Sequence, residues 1–372
     1  MTGMATTILI TVLVFGAIIT IHELGHFLTA KFFGIKVNEF ALGMGPALVT
    51  FKGGKRVSRK GKSAQAAEDD DDRTEYTLRA FPIGGFVSME GENEDSSDRR
   101  AFCNKPVWQR FIVVVAGAVM NLILGLLVML VLSSSQPLLG TGVIAGFHEN
   151  AVTADRLQVN DRILRMNGHR VNGYNDIIFQ LLRDQDGVID FEVERGGERI
   201  KVDDVAFSTT KTPQGRKTVN LDFNFYGVQK TFWGTLQYSY NWTVSIVKQV
   251  WFSLADMLTG RFGFQELSGP VGVAVIVDEA KGEIKTQGLR PLLLLLAFIT
   301  INVGVFNLLP VPALDGGRLL FMLIEMVLRR PINPKYEGYI HAAGFAALML
   351  LIVVVTFNDI IGIITGRLGS GG

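Results

Sequence analysis

Four stretches of this chain contain no Asp, Glu, Lys or Arg: Met1 to Ile21, Phe111 to Leu132, Pro291 to Leu314 and Gly338 to Asn358. Each has about 20 residues or more, the length a helix rising 1.5 Å per residue needs to cross a hydrocarbon core of roughly 30 Å. The pattern predicts four transmembrane helices. A cleaved signal sequence is the competing reading of the first. That stretch has no basic flank ahead of it and no small-residue cleavage site, and it runs straight into His22-Glu23-Leu24-Gly25-His26. Charged residues make up 19% of the chain, below the roughly 25% of globular proteins, and the deficit is confined to these stretches. The net charge of +1 argues against a general nucleic-acid binder, which normally carries a clustered basic excess. The single cysteine, Cys103, excludes an intramolecular disulfide and a multi-cysteine zinc module.

Basic residues flanking the spans set the expected orientation. Lys31, Lys36, Arg99, Arg100, Lys105 and Arg110 lie between spans one and two, and Arg318, Arg329, Arg330 and Lys335 between spans three and four. Both short connections are expected to be cytoplasmic, leaving the long segment after Ser133 outside. The expected organisation is a first span over 1–33, a cytoplasmic loop over 34–106 and a second span over 107–133. An outer domain then covers 137–226, an interfacial segment 227–287, a third span 288–317, a cytoplasmic connection 318–336, a fourth span 337–366 and a tail 367–372.

In the first loop, the Gly- and Lys/Arg-rich run Lys52 to Lys62 and the five acids Glu68 to Asp72 read as a solvated excursion, with a lipid-headgroup contact as the alternative for the basic run. Around it lie two apolar, glycine-containing pieces, Phe40 to Pro46 and Phe81 to Val87. Glycines in such runs mark bends or close backbone approach. Beside a membrane-embedded site this edge could take an extended peptide by strand addition, or it could be a plain structural hairpin. From about Gly142 to Phe207 short alternating strands prevail, with an Asn167-Gly168 turn and a helix near Asn175 to Arg183. From Phe232 to Trp251 clustered Trp and Tyr favour an amphipathic helix at the membrane surface over a packed soluble helix.

The chemistry lies in His22-Glu23-Leu24-Gly25-His26. Residues four apart share a helix face, so both imidazoles can ligate one Zn²⁺. Glu23 projects beside the metal and can take a proton from a water whose pKa zinc lowers towards about 7. Catalytic zinc uses three protein ligands, so one more is needed. The best candidate is Asp315, which ends the third uncharged stretch on the side that the charge pattern assigns to His22 and His26. Ionisable groups at membrane depth are costly and should be paired or metal-bound. The prolines and Gly316-Gly317 around Asp315 suit irregular backbone lining a cavity. A helix-end cluster snorkelling to the interface without metal is the bland alternative. His148, His169 and His341 read as ordinary histidines.

With these residues in view, the sequence resembles the site-2 protease family of intramembrane zinc metalloproteases, most of all its regulator-of-sigma-E protease branch with a single PDZ domain. The shared motifs are His22-Glu23-x-x-His26, Gly43-x-Gly45-Pro46, Pro82-x-Gly84-Gly85, Gly117-x-x-x-Asn121, Ser268-Gly269-Pro270-Val271-Gly272 and Leu314-Asp315-Gly316. Two positions depart from the pattern. Ala118 stands where the second-span motif often has Pro, which removes the reason for a kink, and Asn160 stands where PDZ domains usually have Gly.

The resemblance implies an α-helical polytopic membrane protein with an inserted extracytoplasmic α/β PDZ domain and a membrane-associated β-hairpin. It implies one Zn²⁺ per chain, residence in the bacterial cytoplasmic membrane and an active site near the cytoplasmic face. The implied activity is cleavage of the transmembrane segments of anti-sigma factors or remnant signal peptides, after an upstream site-1-type protease, with the PDZ region as a size filter. Carried over by position, Asn302 and Asn307 contact substrate backbone, and Pro82, Ile83, Gly84, Gly85 and Phe86 present substrate as a strand. For the two asparagines, interhelical hydrogen bonding is the alternative. A membrane-tethered PDZ adaptor with a structural metal and a metal-ion transporter are the competing functions.

Overall fold

A long helix that is apolar on every side has no face suited to water, and among the described residues two of the nine helices are of that kind. The computed structural model describes residues 2–53, 55–56, 73–92, 94–211, 217–260, 269–330, 332 and 334–366. Helix α1 (Thr2–Phe32) leaves Leu9 and Leu13 exposed, and α9 (Pro334–Ile364) does the same with Leu350, Val354 and Phe357. Between them lie α2 (Val107–Ser135), α3 (Tyr174–Arg183), α4 (Phe232–Leu258), α5 (Pro270–Gly282), α6 (Ile284–Gln287), α7 (Arg290–Asn307) and α8 (Asp315–Leu328). Among the described residues four helices are long and apolar enough to cross a membrane: Met4–Phe32, Val107–Ser135, Arg290–Asn307 and Lys335–Ile364. Hydroxyls within α1 turn back onto their own helix, as Thr20 does to Gly16 at 2.7 Å and Thr29 to Gly25 at 2.7 Å, which pairs them where hydrocarbon offers no partner.

The chain divides into two units, Met1–Gly125 with Phe262–Gly372, and Leu126–Arg261. In the first, α2 is held close to its neighbours through small residues. A Cβ on Gly25 would stand 2.3 Å from the Ala116 carbonyl oxygen, and one on Gly304 would stand 3.0 Å from that of Ala118. Helices without bulk at the contact approach backbone to backbone, which compensates in lipid for the missing hydrophobic drive. With Ala118 and no proline, α2 runs unbroken. The charge-free third stretch is not one helix. Helix α7 stops at Asn307, and Asp315 begins α8 after a turn containing both prolines, which cannot donate to a helix.

Strands β1 (Val37–Lys52), β2 (Lys55–Arg56) and β3 (Glu75–Met89) form a sheet in the order β2-β1-β3. Residues 39–42 of β1 meet β3 twice, at 85–88 and again at 75–78. Gly43 and Gly84 take φ of 86° and 89°, the left-handed region, and a Cβ on Gly43 would stand 2.4 Å from the Phe81 carbonyl oxygen. The glycines thus serve both as bends and as places where the two strands touch. The inner end of the sheet is pinned in a core of Val37, Val87, Met89, Val113, Leu319 and Met322, where α1, α2 and α8 also contribute.

The second unit has a sheet ordered β11-β4-β5-β7-β8, built from β4 (Leu139–Phe147), β5 (Arg162–Met166), β7 (Val188–Arg195), β8 (Glu198–Ala206) and β11 (Phe223–Val228). The short β6 (His169–Arg170) pairs with β5, and β9 (Thr209–Lys211) with β10 (Lys217–Val219). Its core packs Ile144, Met166 and Phe223 with Ile177 and Leu181 of α3. The Asn167-Gly168 turn has φ of 46° and 76°, the left-handed pair that a tight hairpin demands. Arg183 of α3 forms an ion pair with Asp256 of α4, fixing one to the other.

Residues 227–287, expected as one interfacial segment, hold two long helices that fall in different units: α4 in the second, α5 in the first. Helix α5 packs on α1, α7 and α9. Asp359 of α9 is buried and its carboxylate accepts from the backbone N–H groups of Gly269 at 3.0 Å and Gly272 at 2.8 Å, capping the first turn of α5. A carboxylate at a helix N-terminus satisfies donors that the helix cannot. The charged run 57–72, Ser268 and the tail 367–372 lie outside the described residues.

Candidate metal centre

Helical spacing sets the two imidazoles of α1 on one face, and both are buried. Their Nε2 atoms are 3.2 Å apart. Asp315 Oδ2, from the first residue of α8, lies 3.0 Å from Nε2 of His22 and 3.3 Å from that of His26. This oxygen is buried and makes no hydrogen bond of ordinary geometry. Three donor atoms therefore converge on one point. For zinc bonds of 2.0–2.1 Å in a tetrahedron, donors are about 3.3 Å apart. The observed triangle has nearly that edge, so His22, His26 and Asp315 fit one zinc ion.

The surroundings hold this geometry. His26 Nδ1 lies 2.8 Å from the Val113 carbonyl, which only accepts, so Nδ1 carries the proton and Nε2 presents its lone pair. Gly117 leaves room for both rings: a Cβ there would stand 2.4 Å from His26 Nε2 and 2.8 Å from His22 Cε1. The turn ahead of Asp315 winds back tightly over the start of α8, where a Cβ on Gly316 would stand 1.9 Å from the Leu309 carbonyl oxygen. Ala313 in that turn has φ of 77° and donates its N–H to His341 Nδ1 at 2.9 Å. His341, read from the sequence as ordinary, thus holds the turn that carries Asp315. Arg318, one helical turn past Asp315, pairs with Glu92 just after β3. Burial opposes the charge on Arg318, but the Glu92 carboxylate outweighs it and keeps the guanidinium above its usual pKa.

Glu23 stands outside the donor triangle. Its carboxylate faces the Val87 backbone of β3. Gly85 is close by, since a Cβ there would stand 3.6 Å from Glu23 Cγ. The structure therefore brings the glutamate to the backbone of residues 84–87, while Pro82 and Ile83 lie further along β3. The Phe86 ring carries the Arg79 guanidinium 4.9 Å from its centroid. Asn307 is the last residue of α7. Asn302 lies within α7 and donates to its own helix, from Nδ2 to the Phe298 carbonyl at 2.7 Å, which leaves its amide oxygen available.

A helix crossing lipid that carries two imidazoles, met by a carboxylate from a broken helix and flanked by a glutamate, defines a membrane-embedded metallohydrolase. Residues 10–60 and 61–351 match the family described as Peptidase family M50. The chain is 34% identical over 360 residues to a candidate zinc metalloprotease of Clostridium perfringens, covering 95% of this chain and 98% of that one. It is 29% identical over 438 residues to the zinc metalloprotease RasP of Geobacillus kaustophilus, covering 94% and 96%. With the regulator of sigma-W protease RasP of Bacillus subtilis it shares 28% over 442 residues, covering 95% and 98%. The chain belongs to peptidase family M50. It is an intramembrane zinc metalloprotease of the site-2 type, and its cofactor is Zn²⁺.

Proposed function

We propose that this protein cuts the membrane-spanning segments of single-span proteins, anti-sigma factors and remnant signal peptides among them, after another protease has trimmed their outer part. The observation that carries the reading is the convergence of His22 Nε2, His26 Nε2 and Asp315 Oδ2, with Glu23 beside them and next to Gly85 of β3. His22, His26 and Asp315 hold the zinc, and Glu23 is the general base. When bound, zinc supplies a Lewis acid that activates water and polarises the scissile carbonyl. Glu23 accepts the proton of the attacking water and returns it to the departing amine. Asn307, and Asn302 through its amide oxygen, meet backbone groups freed when a helical substrate unwinds. Such a substrate hides its peptide groups in i to i−4 bonds, so it must open before attack. Residues 82–86 present it as an added strand, which supplies partners for the freed groups. The name of the Bacillus subtilis relative supports the anti-sigma class.

For residues 137–226, which fall within the second unit, we infer a PDZ-type domain lying outside the cytoplasm. The strand and helix order supports it, and so does Asn160, whose φ of 71° lets it do what Gly does at that position. The metal centre then lies near the cytoplasmic face of the bacterial inner membrane. In a Cys103→Ser background, a cysteine at Gly173 should react with an impermeant maleimide added outside whole cells, and one at Gly61 only after lysis. The opposite pattern would reverse the orientation.

The activity itself is tested with purified protein and a single-span reporter. About one zinc per chain and cleavage within the span, lost on chelation and restored by zinc, are expected. Cleavage that continues unchanged after zinc has been stripped would overturn the reading.

A further inference from the structure

The second span carries an amide at the depth of the imidazoles. Asn121, one turn beyond Gly117 in α2, is fully buried, and its side-chain amide faces His22 Nδ1 at 3.4 Å. Its oxygen Oδ1 is buried with no hydrogen-bond partner among the described residues. An unpaired polar atom of this kind is costly, and hydrocarbon offers no water to relieve it. Asn121 is also held in place from the other side, since its backbone carbonyl accepts from Thr300 Oγ1 of α7 at 3.3 Å.

The tautomer of His22 explains what the amide is for. His22 presents Nε2 to Asp315, as His26 does. A ring that gives Nε2 to a metal carries its proton on Nδ1 and needs an acceptor there. For His26 that acceptor is the Val113 carbonyl. For His22 the group opposite Nδ1 is the Asn121 amide. An amide nitrogen cannot accept, but a half-turn about χ2 exchanges the two ends without changing the shape of the side chain. That rotation sets the orphaned Oδ1 against the ring N–H and satisfies both.

We infer that Asn121 is a positioning residue of the metal centre: its amide oxygen accepts the His22 Nδ1 proton, fixing the tautomer and the ring orientation that leave Nε2 free for zinc. The inference rests on the reading of His22 as a ligand. It requires only that the residue accept a hydrogen bond, so Asp at 121 serves and Leu does not.

The test measures the zinc Kd of purified full-length protein by chelator competition, together with the visible spectrum of the Co²⁺-loaded form, for wild type, N121L, N121A, N121D and H22A. Loss of a second-layer partner weakens metal binding by about 10–100-fold. N121L, and N121A should N121L fail to fold, are expected to show that loss with altered cobalt bands, and N121D to restore wild-type or tighter binding. Wild-type affinity in N121L or N121A, with zinc lost in H22A, would overturn the role of Asn121 and leave the ligand reading standing. Equal weakening in N121A and N121D would do the same. Undiminished zinc binding by H22A would overturn the ligand reading and the inference with it.

Discussion

Glu23→Gln is expected to reduce cleavage of a membrane-spanning reporter by a factor of about 10²–10⁴, the range typical of general acid–base catalysis, while zinc content stays near one per chain. The two readouts separate because Glu23 is not one of the three converging donors. Gln keeps the length and shape of the side chain, so its packing against Gly85 of β3 should stay as it is. What is lost is the capacity to take a proton. The check is metal analysis beside reporter cleavage on one preparation. A variant that retains zinc and cuts at the wild-type rate would remove Glu23 from the reaction, and one that loses zinc would make it a ligand.

Gly117→Ala should abolish zinc binding, a larger effect than the roughly 10–100-fold of a lost second-layer contact. On propensity alone the change is favourable, because Ala in a helix interior is about 1 kcal/mol better than Gly. The site reverses that sign. The added methyl would stand 2.4 Å from His26 Nε2 and 2.6 Å from its Cε1, closer than any Cβ contact that folded proteins tolerate. Neither partner can move away cheaply. The His26 ring is tied to the Val113 carbonyl, and the spacing of α1 and α2 is set by the backbone contact of Gly25 with Ala116. The methyl therefore displaces the atoms that must meet the metal. Gly338→Ala is the control, since nothing lies within 4 Å of a Cβ there. It should bind zinc as wild type does and be no less stable. Wild-type zinc affinity in Gly117→Ala would show that the rings can shift and that this glycine is not needed for them.

The four spans were legible because hydrocarbon excludes charge, and that exclusion is written in composition. The two imidazoles were legible because helical spacing puts His22 and His26 on one face, and Asp315 because a carboxylate ending a charge-free stretch needs a partner. The glycines of β1 and β3 announced bends and close approach, and both are found. Contacts that depend on how one helix is rotated against another were not legible. Asn121 meeting His22, His341 meeting Ala313 and Asp359 meeting Gly269 each join segments far apart in sequence. Their rotation is set by small residues fitting against neighbouring backbones, which leaves no periodic trace. A lone polar residue in an apolar span was the available signal, and Asn121 carried it. The end of α7 at Asn307 was hinted at by the two prolines, but its position was not given by them.

The cap on α5 bears on how the chain is made. Gly269 and Gly272 leave the ribosome 90 and 87 residues ahead of the carboxylate that serves them. At synthesis rates of roughly 5–20 residues per second, the first turn of α5 waits about 5–20 s for Asp359. Until span four arrives, those amides need another acceptor. Span four, made after α5, is therefore what completes the first turn of that helix.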